Sequence, residues 1–291
     1  MIRFFQRKWK QICGLLIAVL VFGLLAAWIF GGVYSAPCNH VVAVPKDLAV
    51  EQVAFPSASG ATIHGWLVMS ETNRGVVILQ HGVHADKSTL VERARMFSQA
   101  GYAVLLFDFQ AHGESLGSRI TLGHLESRDA QAAVEFVRQR FPGKPIGVVG
   151  VSLGAAAAVL AEPPLNAQAL VLEMMYPTIV DATKDRIEMR LGPLGRCLSS
   201  LLTAQLKWRI GCSPDDLRPA VQVETITTPK LFLAGTADKE TRFNETQAMF
   251  DRAAAPKMLV SFEDARHQDL LDFAPDKYKR TVLQFLNENL K

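Results

Sequence analysis

The chain has 291 residues, 49 % of them apolar, which is enough for one large domain or two small ones with a real core. Fibrous, disordered and disulfide-dense classes are excluded, because Gly and Pro are scattered and only four cysteines occur. The net charge of +3 does not indicate a nucleic-acid partner: Arg3, Arg7, Lys8 and Lys10 supply four cations, and the chain beyond residue 33 holds 27 basic and 28 acidic residues.

From Lys10 to Lys46 no Asp, Glu, Lys or Arg intervenes, and Ile12–Val33 is apolar or Gly throughout. As a helix these residues span roughly 33 Å, against about 30 Å for a bilayer core. The preceding cations favour a cytoplasmic N-terminus, and Trp9, Trp28 and Tyr34 stand where aromatic rings prefer the interface. A cleaved signal peptide is the rival reading. Its apolar region is usually shorter, about 7–15 residues, and Pro37 after Ala36 spoils the cleavage site and also a lipoprotein reading at Cys38. Residues 1–33 therefore read as an uncleaved anchor, 34–48 as a linker with Pro37 and Pro45, and 49–291 as a domain outside the cytoplasm.

Within that domain, Glu51–Pro56 and Thr62–Met69 read as strands around the turn Ser57–Gly60. Buried strands follow at Gly75–Gln80, Tyr102–Phe107, Pro145–Val151, Ala169–Met174, Lys230–Ala234 and Met258–Phe262. Helical spacing covers Thr89–Ala100, His124–Phe141, a small-residue run from Leu153, and Pro275–Leu290. Continuous apolar strands alternating with helices predict an α/β fold with a mostly parallel, doubly wound sheet. The interval 177–228 breaks the rhythm and reads as a helical cap inserted between two core strands, since a structureless loop of that length is unusual. Cys13 reads as a packing residue. Cys197 and Cys212 either close a short disulfide loop or remain buried thiols, and no Cys/His zinc spacing is present.

Gly150-Val151-Ser152-Leu153-Gly154 is G-x-S-x-G between a strand and a helix. A sharp turn there strains the central residue, the glycines let backbone approach, and the serine hydroxyl stands exposed at the helix start. A serine nucleophile needs a base, and His267 is the one histidine after Ser152. The acid that orients it is assigned to Asp238, just beyond the strand Leu231–Ala234, with Glu173 in reserve. Oxyanion donors are assigned to the backbone N–H of Leu153 and of Val83, with Gly82 permitting the loop turn.

With these residues in order, the chain from about residue 50 resembles the α/β-hydrolase superfamily. LQHGVHADK is similar to its HG loop, FDFQAHGES to its D-x-R-G-x-G-x-S segment, GVSLG to its elbow, and LAGTADKET and ARHQDL to its acid and histidine segments. Gln110-Ala111 stand where Arg-Gly is commoner. The likeness is strongest to membrane-anchored bacterial hydrolases of the serine aminopeptidase and dienelactone hydrolase-like branches, although Ser152 stands where dienelactone hydrolases usually carry cysteine. The resemblance implies a serine hydrolase without cofactor or metal, acting on an ester, with a carboxylester favoured over thioester, lipid or peptide. In a bacterium the domain would face the periplasm.

Two rivals differ in class. His81, His84, Asp86, Asp108 and His112 cluster in sequence like metal ligands, but in the order H-x-x-H-x-D rather than that of metallo-β-lactamases. A non-enzymatic membrane-tethered binding protein is the other, although such proteins usually lose a triad member. A nucleotide-binding reading lacks both the P-loop lysine and a G-x-G-x-x-G turn.

Overall fold

The structure is a computed structural model that describes residues 2–72, 74–192 and 195–291, with the side chains of residues 2–5, Arg196 and Cys197 outside that description. The chain opens with α1 (Ile2–Tyr34), a helix of 33 residues that projects from the body with most of its apolar side chains exposed. By length and composition it is able to cross a membrane.

Among the described residues ten strands follow: β1 (Cys38–Asn39), β2 (Glu51–Pro56), β3 (Thr62–Val68), β4 (Val76–Gln80), β5 (Ala103–Phe107), β6 (His112–Gly113), β7 (Ile146–Val151), β8 (Ala169–Glu173), β9 (Lys230–Gly235) and β10 (Lys257–Phe262). Eight of them form one sheet in the order β10-β9-β8-β7-β4-β5-β3-β2. In this sheet β3 runs opposite to the other seven strands, and its antiparallel pairing with β2 is the hairpin read at Ser57–Gly60. The central strands β4, β5, β8 and β9 are buried at every residue, because helices cover both faces.

The helices are α2 (Val91–Gln99), α3 (Glu126–Arg140), α4 (Leu153–Val159), α5 (Ile179–Leu191), α6 (Gly195–Ala204), α7 (Leu206–Ile210), α8 (Pro219–Gln222), α9 (Phe243–Arg252), α10 (Leu270–Phe273) and α11 (Pro275–Asn289). One face packs the alanines of α3 and α4 with Met249 of α9 against Ile78, Leu105 and Phe107. The other packs Phe97 of α2 and Tyr278, Val282 and Leu286 of α11 against Val77, Leu79 and Leu106. Truncating a fully buried ring such as Phe107 to alanine removes about 3–5 kcal/mol.

Two regions add to the sequence reading. Residues 34–48 are not a free linker throughout: β1 pairs in parallel with β6, and Asn39 Nδ2 donates to the carbonyls of Gly113 (3.2 Å) and Ser115 (2.9 Å). A two-residue pairing leaves no periodicity to read. Between β8 and β9, the chain forms α5 to α8 with an N-cap at Thr178, whose Oγ1 accepts from Asp181 N–H at 3.1 Å. Cys212 there is a buried thiol, its pKa pushed up to about 12 by burial. The pairing partner read for it, Cys197, lies outside the described side chains.

Candidate active site

The elbow follows from local sterics. Ser152 sits at φ 52°, ψ −108°, between the end of β7 and the start of α4, and its N–H donates to Glu173 O at 2.8 Å. A side chain would block either flanking glycine. A Cβ on Gly150 would stand 2.5 Å from Ala155 N, and one on Gly154 would stand 2.4 Å from Gln80 O. Gly82 differs from the reading given it: a Cβ there would meet Ser152 Cβ at 3.7 Å, an ordinary contact, and its φ is not positive. It faces the serine without being forced by the turn.

Ser152, Gly82, Val83 and His267 line one cleft of about 290 Å³ at the carboxyl end of the sheet. Leu153 begins α4 beside it. Among the described residues, neither the Val83 nor the Leu153 amide donates to a backbone acceptor outside the helices and strands.

Asp238 and His267 come from successive loops after β9 and β10. His267 Nδ1 donates to Asp238 Oδ2 at 2.8 Å. That bond fixes the hydrogen on Nδ1 and leaves Nε2 as the basic nitrogen. Asp238 also accepts from the backbone N–H of Glu240 (2.8 Å) and Thr241 (3.0 Å) and from the Thr241 hydroxyl (2.7 Å). Burial opposes its ionisation. The His267 hydrogen bond and charge, with the Thr241 donors, outweigh that and hold the carboxyl below its ordinary range. Among the described residues no hydrogen bond joins Ser152 Oγ to His267, and catalytic hydrogen bonds of this kind often tighten only around substrate.

Glu173 is engaged elsewhere. Its carboxylate accepts from Arg93 Nη2 at 2.8 Å and from Tyr278 Oη, and Arg93 reaches on to Asp269 at 2.5 Å. The residues with metal-like spacing also have separate partners. Asp108 accepts from the Lys87 backbone N–H (2.7 Å) and Nζ (2.5 Å). His112 Nε2 accepts from the His84 backbone N–H at 3.2 Å, and Asp86 pairs with His40 at 3.1 Å. His81 donates from Nδ1 to Gly82 O at 2.7 Å and accepts at Nε2 from Phe109 N–H at 3.1 Å. Burial, then the charge of His112, pushes its pKa down to about 3, so it stays neutral and shapes the loop that carries Val83. At the Gln110-Ala111 departure, Ala111 takes φ 62°, and Gln110 Nε2 donates to Glu126 Oε1 at 2.8 Å. A neutral amide there satisfies the buried carboxylate.

Arg93 and Arg186 were not anticipated as part of this cleft, nor Thr241 as a donor to Asp238. Thr241 alone left a trace, as a hydroxyl three residues after a turn aspartate.

The same fold recurs in a solved esterase of Pyrococcus furiosus. It superposes with a TM-score of 0.74 at 25 % identity, covering 88 % of this chain and 99 % of that one. The chain has the α/β-hydrolase fold. Residues 71–175 of the hydrolase, which include the HG loop and the elbow, match the family model described as serine aminopeptidase, S33. It is 25 % identical over 244 residues to the Bacillus subtilis protein YqkD, covering 82 % of this chain and 80 % of that one. Over 105 residues it is 30 % identical to human monoglyceride lipase, 35 % of each chain. Its esterase and lipase-like relatives mark the chain as a hydrolase enzyme.

Proposed function

We propose that the hydrolase cleaves a carboxylic ester through an acyl-enzyme on Ser152. His267 Nε2 takes the Ser152 proton as Oγ attacks the carbonyl carbon, and the carbonyl oxygen gains the negative charge. The Val83 and Leu153 amides receive that charge. The proton on Nε2 passes to the leaving alkoxide, the alcohol departs, and the ester C–O bond is broken. Water then attacks the acyl carbon, again giving its proton to Nε2, and Ser152 leaves with that proton as the acid forms. Asp238 holds the imidazole tautomer and stabilises its cationic form throughout.

The observation that carries this reading is the Asp238–His267 hydrogen bond on the wall of the cleft that holds the positive-φ Ser152. An aminopeptidase reading needs a carboxylate free to hold a substrate ammonium. The two carboxylates lining the cleft, Glu240 and Asp269, are instead paired with Arg186 (2.9 Å) and Arg93 (2.5 Å), which favours an uncharged ester. The segment 177–228 acts as a cap over the cleft, and α1 is an uncleaved anchor with its N-terminus cytoplasmic and the domain outside.

Turnover of nitrophenyl esters of graded chain length, measured beside aminoacyl-arylamides, tests the assignment. Esters are expected to be cleaved and arylamides not, with Ser152→Ala inactive and folded. Arylamide turnover without ester turnover overturns the ester reading, and an active Ser152→Ala overturns the nucleophile.

A further inference from the structure

The end of α1 is clamped to the cap. Gln205, at the joint of α6 and α7, donates from Nε2 to Ala27 O at 3.1 Å. Arg209 on α7 donates to Trp28 O at 2.5 Å and lies 4.2 Å from the centre of the Trp28 ring. His84 Nε2 donates to Tyr34 O at 2.9 Å, and Ile120 N–H donates to Ser35 O at 2.9 Å. Gly31 and Gly32 permit the approach: a Cβ on Gly31 would stand 2.7 Å from Gln205 Oε1, and one on Gly32 3.0 Å from Arg209 Nη1. A segment removed at Ala36 would take almost all of these contacts with it.

The clamp reaches the cleft through one side chain. Arg186 on α5 donates from Nη1 to the Tyr34 hydroxyl at 2.5 Å and from Nε to Glu240 at 2.9 Å, and it lines the cleft with Ser152. It also borders a narrow apolar slot of about 60 Å³ between α1 and the cap, walled by Phe30, Ile179, Ile187, Leu202 and Leu206. Beside that slot Trp208 is 79 % exposed, in a groove shared with Leu24, Leu25 and Trp28 of α1. These exposed groups suit the leaflet in which the α1 end would lie.

The apolar run of α1 ends at Val33, and the Tyr34 ring suits the membrane interface. The ester carbonyls of a bilayer lipid lie at that same boundary between acyl chains and headgroups. We propose that docking of α1 on the cap holds the Ser152 cleft at the level of the interface, and that its substrate is a long-chain ester embedded in the leaflet. This rests on the reading of Ser152 as nucleophile and of α1 as anchor.

The test uses the full-length protein in phosphatidylcholine vesicles and two esters of one alcohol. 4-Methylumbelliferyl oleate sits in the bilayer, and 4-methylumbelliferyl acetate is in solution. The double variant Gly31→Leu/Gly32→Leu keeps α1 apolar and prises it from Gln205 and Arg209. The wild type is expected to cleave both esters. The variant is expected to lose at least tenfold on embedded oleate, to stay within twofold on acetate, and to recover on oleate in detergent micelles. Equal loss on both esters, loss on neither, or loss on oleate that persists in micelles overturns the proposal. So does a wild type that cleaves acetate but not embedded oleate. A wild type that cleaves neither ester removes the Ser152 reading itself, and with it this one.

Discussion

Ser152 and Glu173 are joined by a main-chain hydrogen bond of 2.8 Å, so the end of β8 fixes the strained turn at the end of β7. The Glu173 side chain meanwhile turns away to Arg93 and Tyr278, both buried. One residue thus supports the elbow through its backbone and neutralises a buried guanidinium through its carboxylate.

Glu173→Gln is therefore expected to act on stability. Removing one partner of a buried ion pair costs about 3–5 kcal/mol, and Asp269 offsets only part of that for Arg93. Denaturant unfolding should show the loss, while turnover per folded molecule stays within about tenfold of wild type. A collapse of turnover at unchanged stability would assign Glu173 to the chemistry.

Asp238→Asn is expected to show the opposite pattern. The imidazole loses its tautomer control, and turnover falls by a factor on the order of 10⁴ or less with the fold retained. Steady-state kinetics and a thermal melt on the same preparation check it. Wild-type turnover in this variant contradicts the assignment of the acid.

The two glycines beside Ser152 should separate. Gly154→Ala drives a Cβ into Gln80 main chain, which has no flexible end to yield, and turnover should fall at least about 100-fold with a lowered melting temperature. Gly82→Ala makes an ordinary contact and should stay within about tenfold. The reverse ranking would show that the cleft is shaped differently around Ser152.

Asp129 gives a pH dependence of stability. Burial pushes its pKa up to about 7, against donors at Ser57 and Gln110 that favour the charged form. The folded state then binds a proton that the unfolded chain releases near pH 4, so stability should decline as pH rises from about 4 to 7 and level off above. Melting temperatures across that range should lose this slope in Asp129→Asn. An unchanged slope would place the titrating group elsewhere.

The fold was legible because each buried strand carries a continuous apolar run of about four to six residues and each covering helix keeps its spacing. The elbow was legible for a steric reason, since only glycines fit at 150 and 154. Asp238 and His267 were reachable from their positions just past strand ends, and the structure brings their side chains together. What escaped were contacts across long sequence distances. Arg186 meets Tyr34 152 residues away, and Gln205 meets Ala27 178 residues away, with no periodicity to announce either. The β1–β6 pairing escaped because two residues carry no pattern.

The central claim is that Ser152 is the acylated nucleophile. A fluorophosphonate reacts covalently with an activated serine, and peptide mapping by mass spectrometry locates the adduct. One adduct per chain is expected, on the peptide containing Ser152, formed in step with loss of ester turnover and absent in both Ser152→Ala and His267→Ala. An adduct on another serine, or full ester turnover by a chain labelled at Ser152, would contradict it.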